Sequence, residues 1–194
     1  MIRLAVVGDI GSGKSHVAKL FGFPVFNADF EVAKLYKKNK KIFKKLKKTL
    51  PKYIKSFPIK KNKLSEAIIN NQNNIKKIVK IIHPEIRKKM FLFMKKNKNK
   101  KYVVLDIPLL IENNIQKKND ILIFVDAKKR EVNKRLKKRP SINLKIIKKF
   151  KKIQLPVERK KRKSNFIIKN NFNNNSVKKS VKKVMKKINV RSNT

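Results

Sequence analysis

The sequence has no cysteine, no tryptophan and only four glycines among its 194 residues. Without cysteine the chain forms neither disulfides nor thiolate metal sites, which fits a reducing compartment. No apolar run approaches the roughly 20 residues that a membrane-spanning helix needs. The N-terminal MIRLAVVGDIG runs directly into a glycine turn without a cleavage-type site, so we interpret it as a first strand rather than a signal peptide. We therefore expect a cytoplasmic protein with no membrane partner.

Acidic residues are also scarce, because 11 Asp and Glu stand against 56 Lys and Arg, for a formal net charge of +45. Such a charge is typical of proteins that bind polyanions, including nucleic acids. The lysines, however, occur along almost the whole chain as pairs between apolar residues, without one basic stripe or interleaved aromatics. A compositional drift toward Lys, Asn and Ile explains this distribution better. We expect only non-specific nucleic-acid binding, and the oligomeric state stays open.

Apolar runs of strand length alternate with stretches of helical periodicity. The predicted strands are 2–7, 24–29, 102–106, 121–126 and 166–169. Helical periods fill 30–94 and return at 128–138 and 143–153, and Ser176 is predicted to cap a last helix. This alternation predicts an α/β fold, a three-layer sandwich whose five-stranded parallel sheet is flanked by helices.

Three of the four glycines fall within six consecutive positions, in the segment GDIGSGKS at 8–15. The segment matches G-x-x-x-x-G-K-[ST] between a predicted strand and a predicted helix, the context of a phosphate-binding loop. Glycines allow successive backbone N–H groups to point at phosphate oxygens, and the helix N-terminus adds its dipole. We expect nucleotide phosphate binding, with a serine that ligates Mg²⁺ and a lysine that bridges the β- and γ-phosphates and would act in catalysis if the γ-phosphate is transferred. The expected binding residues are Gly11, Ser12, Gly13, Lys14, Ser15 and His16.

Three of the few carboxylates, Asp29, Asp106 and Asp126, each end a predicted strand. In a parallel sheet these ends lie at the same edge as the phosphate loop. Asp106 is predicted to act on Mg²⁺ together with Ser15, and Asp29 to orient or deprotonate an acceptor hydroxyl as a catalytic residue. The alternative for each is a turn or a helix cap, and for Asp126 that alternative is at least as good.

Residues Asp106 to Glu112 form an intact D-x-P-L-L-x-E motif. With this motif and the phosphate loop, the chain resembles the dephospho-coenzyme A kinase family over nearly its whole length, and D-x-P-L-L-x-E is the most specific of the shared motifs. The other matches, in chain order, are G-I-G-S-G-K-S at 9–15 with Asp9 in place of the first Gly, D-A-D at 27–29 with Asn27 in place of the first Asp, H-P at 83–84 opening a helix, R-x-x-x-R at 135–139, Gln154, Lys160 and a strand that leads to Asn170.

The resemblance implies a P-loop kinase that uses ATP and Mg²⁺ to phosphorylate the ribose 3′-hydroxyl of dephospho-CoA. It implies one domain with a core of 1–29, 102–127 and 164–194, a helical acceptor-binding segment at 30–95 and a lid at 128–153. Arg139 of the lid is expected to act in catalysis, and substrate contacts are expected from His83, Pro108, Leu109, Glu112 and Arg135. The alternatives are another P-loop kinase of a nucleoside or nucleotide, and an ATP-dependent nucleic-acid-binding protein.

Overall fold

The computed structural model describes residues 1–138 and 143–191. Five strands form one parallel sheet in the order β2-β3-β1-β4-β5. Their bounds are β1 (Ile2–Gly8), β2 (Val25–Asn27), β3 (Tyr102–Asp106), β4 (Ile121–Asp126) and β5 (Phe166–Lys169). Strand β3 is buried at every position, as its uninterrupted apolar run predicts for a parallel sheet covered on both faces. The predicted α/β fold is confirmed.

Nine helices are seen in the described part of the chain, most of them amphipathic segments whose apolar stripe is buried. They are α1 (Lys14–Leu20), α2 (Ala28–Lys38), α3 (Lys40–Thr49), α4 (Lys61–Asn70), α5 (Asn73–Lys96), α6 (Lys129–Lys138), α7 (Leu144–Lys152), α8 (Val157–Arg162) and α9 (Asn174–Arg191). None of these helices is both long and apolar enough to cross a membrane, within the ranges that the structure describes.

The chain divides into two compact units, and the first contains the whole sheet. It comprises Met1–Asn27, Asn97–Ile142 and Lys151–Thr194, of which 139–142 and 192–194 are not described. Helices α1 and α9 pack on the sheet through Val17, Ala18, Val177, Val181, Val184 and Ile188, all of them buried. Because α1 begins directly after the glycine-rich loop, this packing fixes the loop at the C-terminal end of β1.

The second unit comprises Ala28–Lys96 and Asn143–Phe150 and is helical. Its core consists of leucine and isoleucine side chains at helical spacing, among them Leu35, Ile42, Leu46, Leu64, Ile68, Ile75, Ile78 and Ile82. The Nζ atom of Lys149 donates hydrogen bonds to the carbonyl oxygens of Ile68 and Ile69, at 2.9 and 2.8 Å. These bonds satisfy carbonyl groups near the C-terminal end of α4, which have no partner within the helix.

Three local expectations are wrong. His83-Pro84 does not open a helix, because α5 continues through Pro84. The lost backbone hydrogen bond is tolerated there because Ile78 and Ile82 are buried on one side of the proline and Ile86 packs in the same cluster on the other.

The other two errors concern where a helix begins. Asp29 does not end β2 but lies in the first turn of α2. Ser176 does not cap α9, since the Asn173 side chain accepts a hydrogen bond from the Ser176 N–H group. Helix α2 begins two residues before position 30, where the predicted helical stretch starts, and α9 begins three residues before Val177, which follows the predicted cap.

Candidate active site

The glycine-rich loop at 8–15 connects β1 to α1 and touches two other parts of the first unit. Gly11 and Gly13 adopt φ angles of 84° and 91°, a region that disfavours any side chain. A Cβ atom at Gly11 would lie 2.9 Å from Val132 of α6, and one at Gly13 would strike the amide of Asn170. That amide donates a hydrogen bond of 2.7 Å to the carbonyl oxygen of Ser12. The loop is therefore shaped by α6 and by the residue that follows β5.

The Lys14 ammonium group lies over the start of this loop. Its Nζ atom donates to the carbonyl oxygens of Gly8 and Asp9 at 3.1 and 2.9 Å. Ser15 is exposed in the first turn of α1. Ser12, in contrast, is buried, and its hydroxyl group has no hydrogen-bond partner among the described residues.

His16 belongs to the same turn as Ser15. Its side chain is exposed, and its backbone N–H donates to the carbonyl oxygen of Gly13 at 3.0 Å. A phosphate contact by this N–H, as expected from the motif, would therefore be shared with the first turn of the helix.

Asp106 ends β3 beside the loop and is almost fully buried, at 3 % exposure. It pairs in register with Val6 of β1 on one side and with Asn27 of β2 on the other. The side-chain amide of Asn27 donates a hydrogen bond to Oδ2 of Asp106. Asn27 stands in place of the first Asp of the D-A-D motif. Its amide therefore donates a hydrogen bond to Asp106, where an Asp at position 27 would place a second negative charge beside it.

Asp29 and His83 both lie in the second unit. Asp29 is exposed in the first turn of α2, where the helix dipole favours a negative charge. Burial, with a smaller contribution from the Asp29 charge, raises the pKa of Tyr36 to about 12. Burial, followed by the charge of Arg87, lowers the pKa of His83, so its imidazole is neutral at pH 7.

The segment that follows Asp106 is a series of turns rather than a helix. Pro108 is exposed, and Leu109 adopts a left-handed conformation with φ 56°. The Leu109 carbonyl accepts hydrogen bonds from the backbone and side-chain N–H groups of Asn113, both at 3.0 Å. Oε1 of Glu112 accepts the backbone N–H of Leu155 at 3.0 Å. Glu112 therefore ties this turn to the residues that lead into α8.

The Arg135 side chain of α6 stacks on an aromatic ring near the loop. Its guanidinium carbon lies 4.5 Å from the ring centroid of Phe172. Phe172 has a φ of 63°, and its backbone N–H donates to Oδ1 of Asn170. Arg139, the second arginine of the motif, lies outside the described residues.

This arrangement can be compared with proteins of known family. A family model described as dephospho-CoA kinase matches residues 2–178. The chain belongs to the dephospho-CoA kinase family. It is 34% identical over 170 residues to the dephospho-CoA kinase of Wolbachia sp. subsp. Brugia malayi, a match that covers 85% of this chain and 87% of the relative.

Solved structures agree with this membership. The dephospho-CoA kinase from Campylobacter jejuni superposes with a TM-score of 0.62 at 26% identity, covering 96% of each chain. The protein TT1252 from Thermus thermophilus superposes with a TM-score of 0.75 at 25% identity, covering 96% of this chain and 97% of the other. The protein is therefore an enzyme with the P-loop kinase fold, and it phosphorylates dephospho-CoA with ATP as donor.

Two contacts in the site of this dephospho-CoA kinase family member are not predicted by its sequence. The polar composition of 170–175 predicts only a loop, so the contact of Phe172 with Arg135 is not expected from it. The one signal is the aromatic residue itself, which is unusual within the stretch NNFNNN. The sequence pattern assigns no role to Asp9, which departs from the family motif, or to Lys160, which matches it, yet their side chains form an ion pair in which Lys160 is 1 % exposed. The residues are 151 positions apart, so no local pattern reports their contact.

Proposed function

We propose that this enzyme transfers the γ-phosphate of ATP to the ribose 3′-hydroxyl of dephospho-CoA, with Mg²⁺ on the triphosphate. The observation that carries the proposal is the position of the Lys14 ammonium, which two loop carbonyls hold over the start of the phosphate loop. A phosphoryl group in transfer spreads its charge over three oxygens, so a positioned cation stabilises the transition state more than the ground state. We assign Lys14 this catalytic role.

On the donor side, the loop binds the β- and γ-phosphates through the backbone between Gly11 and Ser15. Gly11 and Gly13 allow this backbone to turn, as their φ angles support. Ser12 contributes through its backbone, since its hydroxyl group is buried beneath the loop.

The residues present fit a magnesium ion. Asp106 offers a carboxylate at the end of β3, and only its Oδ2 accepts a hydrogen bond that the described residues show, from the Asn27 amide. Ser15 offers an exposed hydroxyl directly after Lys14. Mg²⁺ prefers oxygen ligands and is bound through one or two side chains together with phosphates and water. When bound, the ion would neutralise charge on the phosphate oxygens.

On the acceptor side, we assign Asp29 the role of orienting the 3′-hydroxyl and accepting its proton. Support comes from its exposure in the first turn of α2, where the helix dipole favours a negative charge, and from its place two residues after Asn27. Acceptor contacts are proposed for His83, Pro108 and Leu109, and Arg135 is proposed to contact substrate next to Phe172. Glu112 is proposed to support these contacts through the Leu155 backbone. A catalytic role for Arg139 rests on the family resemblance.

An acceptor panel tests the proposal. The purified protein with ATP and Mg²⁺ is offered dephospho-CoA, nucleosides, nucleoside monophosphates and RNA, and both ADP and the phosphorylated product are measured. We expect dephospho-CoA to be the preferred acceptor, and Lys14→Ala to abolish turnover without loss of fold. Lys19→Ala is the matched control, because Lys19 is an exposed lysine of the same helix. A preference for a nucleoside, or normal turnover by Lys14→Ala, would contradict the proposal.

A further inference from the structure

The phosphate loop carries a negative charge of its own. Asp9 is the acidic residue of the segment 8–15, and it stands where the family usually has glycine. A carboxylate on a loop that binds a triphosphate places like charges near one another, which costs binding energy unless something compensates it. Asp9 is 38% exposed at its side chain, so the carboxylate is not simply hidden from an incoming anion.

The compensating group is Lys160, in the last turn of α8. Its Nζ atom forms an ion pair with Oδ1 of Asp9, and its side chain is 2% exposed. A buried ammonium is costly without a partner, so this lysine is held against Asp9. The Asp9 backbone carbonyl at the same time accepts a hydrogen bond from Lys14 Nζ at 2.9 Å and another from Ser12 N–H at 3.1 Å. Asp9 therefore connects a buried lysine to the lysine that we assign to catalysis.

We infer that Lys160 is a positioning residue for ATP binding: it neutralises Asp9 and anchors the first turn of the phosphate loop through that carboxylate. The inference rests on the proposed binding of the triphosphate by this loop. Loss of the Lys160 charge would leave the Asp9 carboxylate uncompensated beside the phosphates. Two like charges a few ångströms apart at a partly hydrated site weaken binding by about 10- to 100-fold for a tetravalent anion such as ATP.

A double-mutant cycle tests the pair by calorimetric binding of a non-hydrolysable ATP analogue. We expect Lys160→Met to raise the Kd by about 10- to 100-fold. The double variant Asp9→Asn/Lys160→Met should bind within about threefold of the wild type, because it removes both charges of the pair and leaves no carboxylate to be compensated. Lys160→Arg, which keeps the charge, should bind close to the wild type. The rise in Kd caused by Lys160→Met should also be smaller for AMP, which carries fewer negative charges, than for the ATP analogue. Loss of packing alone would not produce this difference.

Lys161→Met is the matched control. Lys161 is the next residue of α8, and its Nζ pairs with Asp126 at 3.2 Å rather than with Asp9, so its loss should change the Kd less than the loss of Lys160 does. If Lys160→Met does not fold, Lys160→Gln gives the same comparison, because it keeps a hydrogen-bond donor and removes only the charge.

Three results would overturn the inference. Unchanged binding by Lys160→Met, or a double variant Asp9→Asn/Lys160→Met that binds as weakly as Lys160→Met alone, would show that the pair does not act by neutralising Asp9. Failure of the wild-type protein to bind the analogue would overturn the proposed function as well, so the two failures can be told apart.

Discussion

Substitution of Gly11 by alanine tests whether α6 supports the phosphate loop. Two costs arise. At a φ of 84° an L-residue loses about 1–2 kcal/mol relative to glycine. The new Cβ atom would also lie 2.9 Å from Cγ1 of Val132 and 3.1 Å from two carbons of Leu136. Both neighbours are buried, so neither side chain has room to swing away, and overpacking of this kind costs about 1–3 kcal/mol.

The sum predicts that Gly11→Ala lowers the free energy of unfolding by about 2–5 kcal/mol, a large share of the 5–15 kcal/mol typical of a folded protein. Gly22→Ala is the matched control. Its φ of 75° imposes similar backbone strain, but a Cβ atom there meets no other atom within 4 Å. The substitution is identical in the unfolded chain, so the difference between the two variants isolates the contact with α6.

Urea denaturation followed by far-UV circular dichroism measures both variants. We expect Gly11→Ala to be less stable than Gly22→Ala by about 1–3 kcal/mol. In a Val132→Ala background, which removes the closest carbon, Gly11→Ala should cost less. Equal losses for the two glycine variants, together with no coupling to Val132, would refute the packing of α6 against the loop.

Three further predictions concern catalysis, pH and charge. Asp29→Asn should lower kcat by about 10²–10⁴ while the KM for ATP changes little, because a base acts on the acceptor; a loss confined to the KM for ATP in steady-state assays would place Asp29 on the donor side. Burial alone would raise the pKa of Glu31, but hydrogen bonds and charges of Lys34 and Lys89 lower it below 4.5. Because the pKa of Glu31 is lower in the folded state than in the unfolded state, its ionised carboxylate stabilises the folded state at a pH above the unfolded-state pKa. This stabilisation is lost as the pH falls through the folded-state pKa. Wild type should therefore be more stable than Glu31→Gln at pH 7, and this difference should shrink as the pH falls below 4.5, as thermal unfolding across pH would show. A difference that does not shrink in acid would contradict the prediction. RNA binding should be weak, vanish by about 200 mM salt and leave kinase activity unchanged, whereas sequence-selective binding in that salt would restore a nucleic-acid function.

The sequence was sufficient to predict the sheet and the phosphate loop. Each strand is a separate apolar run, and the G-x-x-x-x-G-K-S spacing is placed where β1 meets α1. The position of Asp106 beside the loop follows from parallel strands alone. Its hydrogen bond to Asn27 does not, because it depends on β2 and β3 being neighbours in the sheet although the long helical segment separates them in the chain.

Other features could not be predicted because distant packing decides them. Local proline chemistry indicates a helix start at His83-Pro84, but the isoleucine stripe of α5 keeps the helix continuous there. The ion pair between Asp9 and Lys160 joins the loop that follows β1 to α8, residues far apart in the chain. The left-handed conformation of Phe172 likewise follows from its contacts with Asn170 and Arg135 rather than from its residue type.

The position of the transferred phosphate tests the central claim most directly. The enzyme is incubated with ATP, Mg²⁺ and either dephospho-CoA or an analogue that lacks the ribose 3′-hydroxyl, and the products are examined by mass spectrometry and ³¹P NMR. We predict one added phosphate at the 3′ position of dephospho-CoA, none on the 3′-deoxy analogue, and ADP formation only with the natural acceptor. Phosphorylation of the 3′-deoxy analogue, or a product modified at any other hydroxyl, would contradict the account.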